Sequence, residues 1–200
     1  SKFDGIIGLA YDNLAVNNIP TFFHVLLEQE VISEPSYSFY LTKDLNANGS
    51  ALILGGIDKK YAKSEFHYVN LTHKSYFMTS LDDFQVGNKS FYEGKMNVVL
   101  DSGTSILVGP DKFIQKILDL YPNHINCDDV LTYPDLHFII DGKDYVIPPD
   151  VYIIQNFGHC VLGIVGAIFS PELENSIILG DVFMRQYYTH FDYGNARLGF

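Results

Sequence analysis

Two hundred residues, 47% apolar and 14% aromatic, are ample for a packed core and exclude a disordered chain. A formal net charge of −11 argues against nucleic acid or an anionic membrane as partner, since both attract basic surfaces. No window approaches the roughly 18 apolar residues of a membrane span, and the most apolar stretch, residues 161–169, is far too short.

The opening SKFDGIIGL has neither the basic end nor the long apolar segment of a signal peptide. It reads as the middle of a folded domain, so sequence is expected upstream. Pro20 then opens TFFHVLLEQEVI, with Phe22, Phe23, Leu26 and Leu27 on one face, which predicts an amphipathic helix.

SYSFYLT, SALILGG, SEFHYVNL and YFMTSLDDFQV follow as short alternating or apolar runs. Asn-Gly, Asp-Gly and Gly-Asn pairs punctuate the strands as hairpin turns do. Three sequons, at Asn48, Asn70 and Asn88, fall in turn-like segments and are candidate N-glycosylation acceptors.

The stretch VVLDSGTSILVGP, residues 98–110, places Asp101 at the end of an apolar run and before a small, hydroxyl-rich turn. Pro110 opens a second helix, DKFIQKILDLY, with Phe113, Ile114, Ile117 and Leu118 on one face. Cys127 and Cys160 fit one structural disulfide, the preferred reading, or two buried thiols. LHFIIDGKDYVI and ARLGF read as further strands, and Asp181 can cap a short helix, VFMRQY, that hands over to a strand at 188–192. The fold class is therefore mainly β, with a few helices outside. One internal echo stands out: Ile6-Ile7-Gly8 and again Ile178-Leu179-Gly180, each an apolar pair followed by Gly and flanked by an Asp.

An isolated ionised carboxylate in apolar surroundings is costly, so Asp101 needs a role. It could accept backbone N–H bonds as a turn cap. A metal ligand is disfavoured, because no His or Cys sits at ligand spacing and H-E-x-x-H is absent. It could be a catalytic acid or base, with Gly103 permitting a tight turn and Ser102, Thr104 and Ser105 supplying hydroxyls. Nucleophilic alternatives lack support: there is no G-x-S-x-G, and His159 beside Cys160 suits a disulfide neighbour better than a thiol–imidazole pair. Gly loops that bind phosphate are also missing, and neither a cofactor nor a metal is expected.

DSGTS after an apolar run, a Pro-initiated helix, ILGDVFMRQYYTHFD and a terminal NARLGF together resemble the carboxy-terminal lobe of pepsin-like aspartic proteases, the pepsin, cathepsin D and plasmepsin type. FDGIIGLAY, PSYSFYL, LILGGID, YFMTSLD, YPDLHF and the Cys127 to Cys160 spacing fall in that family's order, so the resemblance covers nearly the whole chain. It implies a bilobal acid protease fold, here an incomplete amino-terminal lobe (residues 1–59) and a nearly complete carboxy-terminal lobe (residues 60–200). In that family each lobe gives one Asp on a D-T/S-G turn, with an apolar-apolar-Gly segment passing beneath.

By that resemblance Ile178-Leu179-Gly180 serves Asp101, and Ile6-Ile7-Gly8 serves a first D-T/S-G turn that lies upstream. Asp101 is then half of a catalytic dyad, Ser102 reaches toward the other turn, and Thr104 hydrogen-bonds the Asp101 carboxylate. Gly103, Thr104 and Ser105 would bind peptide backbone, while Tyr76, Val99 and Ile178 match substrate-contacting cleft walls; on pattern alone Val99 and Ile178 could equally be plain core. The implied activity is peptide-bond hydrolysis at acid pH by activated water, on a polypeptide substrate, in the secretory pathway, a lysosome or vacuole, or outside the cell. Its partner is the missing part of the amino-terminal lobe, and this chain alone is expected to be inactive. A peptide-binding remnant of the fold is the alternative; a homodimer sharing two Asp101 residues is disfavoured by the leftover first-lobe segment.

Overall fold

The structure, a computed structural model, describes residues 4–43, 47–91, 94–156 and 158–200. Short strands fill four sheets among these residues, and short helices pack outside them, as the alternating runs and turn pairs predict.

The sheet that positions the site has five strands in the order Ile164–Ala167, Leu107–Pro110, Ser176–Leu179, Met96–Leu100, Met78–Leu81. Ser176–Leu179 runs parallel to Met96–Leu100 and antiparallel to Leu107–Pro110, wedged between two strands that precede it by some seventy residues or more. Val98, Leu100, Ile177 and Leu179 turn to one face and enter the hydrophobic core. Val99 and Ile178, paired across the same ladder, turn to the other.

A second five-stranded sheet has the order Ala51–Leu54, Tyr37–Tyr40, Thr189–Asp192, Arg197–Gly199, Tyr68–Asn70. It ties strands from the first sixty residues directly to the last twelve, through the pairs Tyr37↔Phe191 and Ser38↔His190. One face stacks Tyr37 on Phe191 at 4.9 Å, and Phe77 meets Phe191 edge-on at 4.9 Å. Tyr11 joins the same cluster: its ring stacks on Tyr193 at 4.2 Å and its hydroxyl donates to the Tyr193 carbonyl.

Leu136–Ile140 and Lys143–Ile147 form a hairpin in a third sheet. Its Asp141-Gly142 turn takes positive φ at both residues (49° and 72°), as a two-residue hairpin of this kind requires. Helix Asp111–Leu118 buries Phe113, Ile114 and Ile117, each worth about 1.5–3 kcal/mol. It sits so close to the preceding strand that a Cβ at Gly109 would fall 2.8 Å from Ile114 Cδ1. Cys127 and Cys160 are joined as a disulfide, fastening the 3-10 segment Cys127–Thr132 to the hairpin strand His159–Leu162. No helix among the described residues is long and apolar enough to cross a membrane.

Three expectations need correction. The first helix spans Phe22–Glu28 and stops short of the predicted residue 32. Glu30 adopts φ 53°, Val31 N donates to Leu26 O and Glu30 N to Leu27 O, a left-handed C-terminal cap made without glycine. Residues 76–86 are not one strand: Met78–Leu81 and Asp83–Val86 belong to different sheets. The switch is at Asp82, whose amide donates to Ile139 O and whose carboxylate accepts from Gly142 N, both at 2.8 Å. Finally, the last helix is only Asp181–Met184, and its cap position is Gly180. Asp181 stands inside the helix and reaches Arg185 at 3.5 Å instead of capping.

Candidate active site

Asp101 follows directly on Met96–Leu100, where its amide still continues the ladder by donating to Leu179 O at 3.2 Å. The chain then reverses, with Thr104 N donating to Asp101 O at 3.2 Å. Within that turn the Gly103 amide donates to Asp101 Oδ1 at 2.9 Å, and Thr104 Oγ1 donates to Oδ2 at 2.6 Å. Both carboxylate oxygens are therefore held, and the side chain has one orientation. The turn-cap role and a catalytic role coincide here, since the bonds that make Asp101 a cap also aim it.

Gly103 sits in this tight turn, as expected, and leaves room for the Asp101 carboxylate. It is not among the positive-φ glycines; rather, a Cβ there would sit 3.1 Å from Asp101 Oδ1. Beneath the turn, Asp181 N donates to Thr104 O at 2.8 Å. A Cβ at Gly180 would run into the backbone oxygens of Thr104 and Ile106, so the Ile178-Leu179-Gly180 segment supports the turn by backbone contact alone.

A cavity of about 440 Å3 opens over Asp101. Tyr76, Val99, Ser102, Gly103 and Ile178 line it with Asp101. Val99 is shielded from solvent but points away from the main core, as does its partner Ile178, so neither is a plain core residue. Ser102 is exposed at the rim. Ser105 is placed apart, lining a second cavity of about 730 Å3 with Cys127, Ile153 and Arg185, and Thr104 is spent on the carboxylate.

Ile6, Ile7 and Gly8 also border the Asp101 cavity. Ile6 and Ile7 are 86% and 64% exposed, an unusual state for such an apolar pair. Sequence reasoning missed Leu173, which lines the cavity from the loop before Ser176–Leu179, and the contact of Asp181 N with the Asp101 turn. Burial pushes the Asp181 carboxyl up; Arg185 opposes this and the nearby Asp101 adds to it. The Ile-Leu-Gly-Asp string was the available signal for Asp181.

A family model for eukaryotic aspartyl proteases matches residues 1–200. The chain belongs to that family. Mouse (Mus musculus) cathepsin D is 37% identical over 214 residues, taking in all of this chain and 52% of the mouse protein. Pepsin B of Canis lupus familiaris is 36% identical and gastricsin of Callithrix jacchus 33%, each aligned over the whole chain and 54% of the relative. The chain thus spans about half the length of the curated relatives it matches. Its four-sheet, mainly β architecture is that of a pepsin-like aspartic protease, and the Cys127–Cys160 disulfide is part of it.

Proposed function

We propose that this chain carries one of the two catalytic aspartates, Asp101, of an acid endopeptidase whose other aspartate lies on an upstream D-T/S-G turn. The observation that carries the reading is the carboxylate fixed by Gly103 N and Thr104 Oγ1 at the floor of a cavity walled by Tyr76, Val99 and Ile178. Family membership supports the reaction class, and the exposed Ile6-Ile7-Gly8 segment beside that cavity suits a support for a second turn. Residues 1–59 then form the end of an amino-terminal lobe and residues 60–200 the carboxy-terminal lobe, the two sharing the sheet that pairs Tyr37–Tyr40 with Thr189–Asp192.

In this reaction one carboxylate is ionised and takes a proton from water, while the other is protonated and donates to the scissile carbonyl. The hydroxide oxygen bonds to the carbonyl carbon, and the resulting diol collapses by breaking the C–N bond as the amine nitrogen gains a proton. No covalent enzyme adduct forms. Asp101 alone supplies one of these roles, so this chain by itself does not turn over. Ser102, at the rim, reaches toward the other turn, and Gly103, which lines the cavity, offers its carbonyl to the peptide.

Asn48, Asn70 and Asn88 are all exposed, which supports their use as glycosylation acceptors and a destination in the secretory pathway, a lysosome, a vacuole or the extracellular space. The deciding experiment is peptide cleavage at acid pH by the full-length protein and its Asp101→Asn variant. Cleavage should drop to background while the denaturation midpoint stays near that of the parent. Retained turnover removes Asp101 from the chemistry.

A further inference from the structure

His190 stands in the middle of the sheet that ties the early strands to the late ones, paired with Ser38 on one side and Gly199 on the other. It is only 6% exposed. Its Nδ1 lies 2.8 Å from Tyr68 Oη, and its Nε2 is buried with no hydrogen-bond partner. The opposite Gly199 leaves the space in which two rings close over it, for a Cβ there would fall 2.8 Å from Tyr68 Cε1 and 3.0 Å from Phe66 Cδ1. Phe66 and Tyr68 meet the imidazole at ring separations of 5.8 and 5.7 Å.

The neutral ring tolerates this site, because one nitrogen is satisfied and the other is merely unpaired. An imidazolium does not: both nitrogens then carry hydrogens, and Nε2–H has no acceptor, which in a buried charged group is expensive. The surrounding charges do not rescue it. Asp192, on the same strand, already accepts from Arg197 Nε at 2.6 Å and from Asn195 Nδ2 at 3.0 Å. Arg197, on the neighbouring strand, lies over the Tyr68 ring at 4.0 Å and repels a second cation. Glu34, in the loop before Tyr37–Tyr40, and Glu65, ahead of Phe66, are exposed and solvated. Tyr188 turns its hydroxyl to Ser38 Oγ and Asp58 N. Burial first, and Arg197 next in the same direction, hold the ring below the ordinary histidine range, against Asp192 and Glu34.

We infer that His190 is an acid-sensitive latch: neutral, it is sealed under Phe66 and Tyr68, and protonated, it lifts the edge strand Tyr68–Asn70 from Arg197–Gly199. That edge strand pairs on one side only and follows the connection between the early strands and the rest of the chain. Acid therefore loosens the outer edge of this sheet, on the side of His190 opposite the Tyr37–Tyr40 pairing. The inference is independent of whether Asp101 is catalytic.

Hydrogen exchange of the protein, read at residues 66–70 and 189–199 and corrected for intrinsic rates, tests it against a His190→Val variant. From about pH 7 down to about pH 5 protection of these segments should fall in the parent, approaching ten-fold per pH unit, the dependence of an opening that takes up one proton. The variant should keep its protection, although His67, which faces Tyr145 and Asp141 instead, is still present. Equal pH dependence in the two proteins overturns the inference. Should the variant not fold, the parent alone decides the matter: loss of protection at residues 66–70 as pH falls below the ordinary histidine range, with the ring nitrogens still neutral in the closed form, upholds the latch, and either unchanged protection or titration of the closed ring within that range overturns it.

Discussion

Asp101 is held by contacts that three neighbouring residues supply or permit. Gly103 brings an amide to one carboxylate oxygen, Thr104 brings a hydroxyl to the other, and Gly180 lets a second strand touch the turn from below. The last is the sharpest constraint. In Gly180→Ala the new methyl meets backbone oxygens of Thr104 and Ile106, not flexible side chains, so the turn itself must shift. We expect a loss of about 3 kcal/mol, the upper end of overpacking costs, in urea denaturation. Peptide cleavage by the full-length variant should fall as well. At this scale Asp101 and the hydroxyls beside it are legible in D-S-G-T-S, the Thr104 bond to the carboxylate follows only from the family resemblance, and the Gly103 amide bond comes from the structure. Asp181 is less so: its amide bond to Thr104 O links residues 77 positions apart, and no local pattern encodes that approach.

Elements were legible where the code is local and periodic. Helix Asp111–Leu118 follows from Pro110 and the spacing of Phe113, Ile114 and Ile117, and the Asp141-Gly142 hairpin follows from its turn pair. The end of Phe22–Glu28 was not, because Glu30 takes a left-handed conformation usually left to glycine. Nor was the break at Asp82, which only the meeting of two sheets creates. Strands 153–156, 159–162 and 164–167 follow one another closely in a stretch without clean alternation, so their register comes from their partners. The Cys127–Cys160 bridge clamps this tract: it closes a loop with a sequence separation of 33, which in the chain-entropy view is worth about 3–4 kcal/mol. Replacing both cysteines by serine should lower stability by that amount in urea. It should leave the Asp101 turn intact, because neither cysteine lines the Asp101 cavity.

For the molecule as a whole, acid acts on the shared sheet in two separate windows. His190, held low, contributes stability in full above the ordinary histidine range of about 6.5 and loses it as pH falls through that range toward its own folded value. Asp192 works lower. Burial disfavours its ionisation, yet the Asn195 and Arg197 hydrogen bonds outweigh burial and hold the carboxyl below its usual value. Its stabilisation is therefore present above about pH 4 and is lost as pH drops through the folded value. Asn195→Ala isolates this second window without touching the His190 ring. Removing the two Nδ2 contacts should cost about 1 kcal/mol near neutrality, the low end for a bond to a charged group because Asn195 is exposed. The difference in urea midpoint should persist unchanged through the histidine window and close only below about pH 4, once Asp192 is protonated in both proteins. A gap that closes already near pH 6 would mean that Asp192 and His190 titrate as one network, and the sheet would then have a single acid transition in place of two.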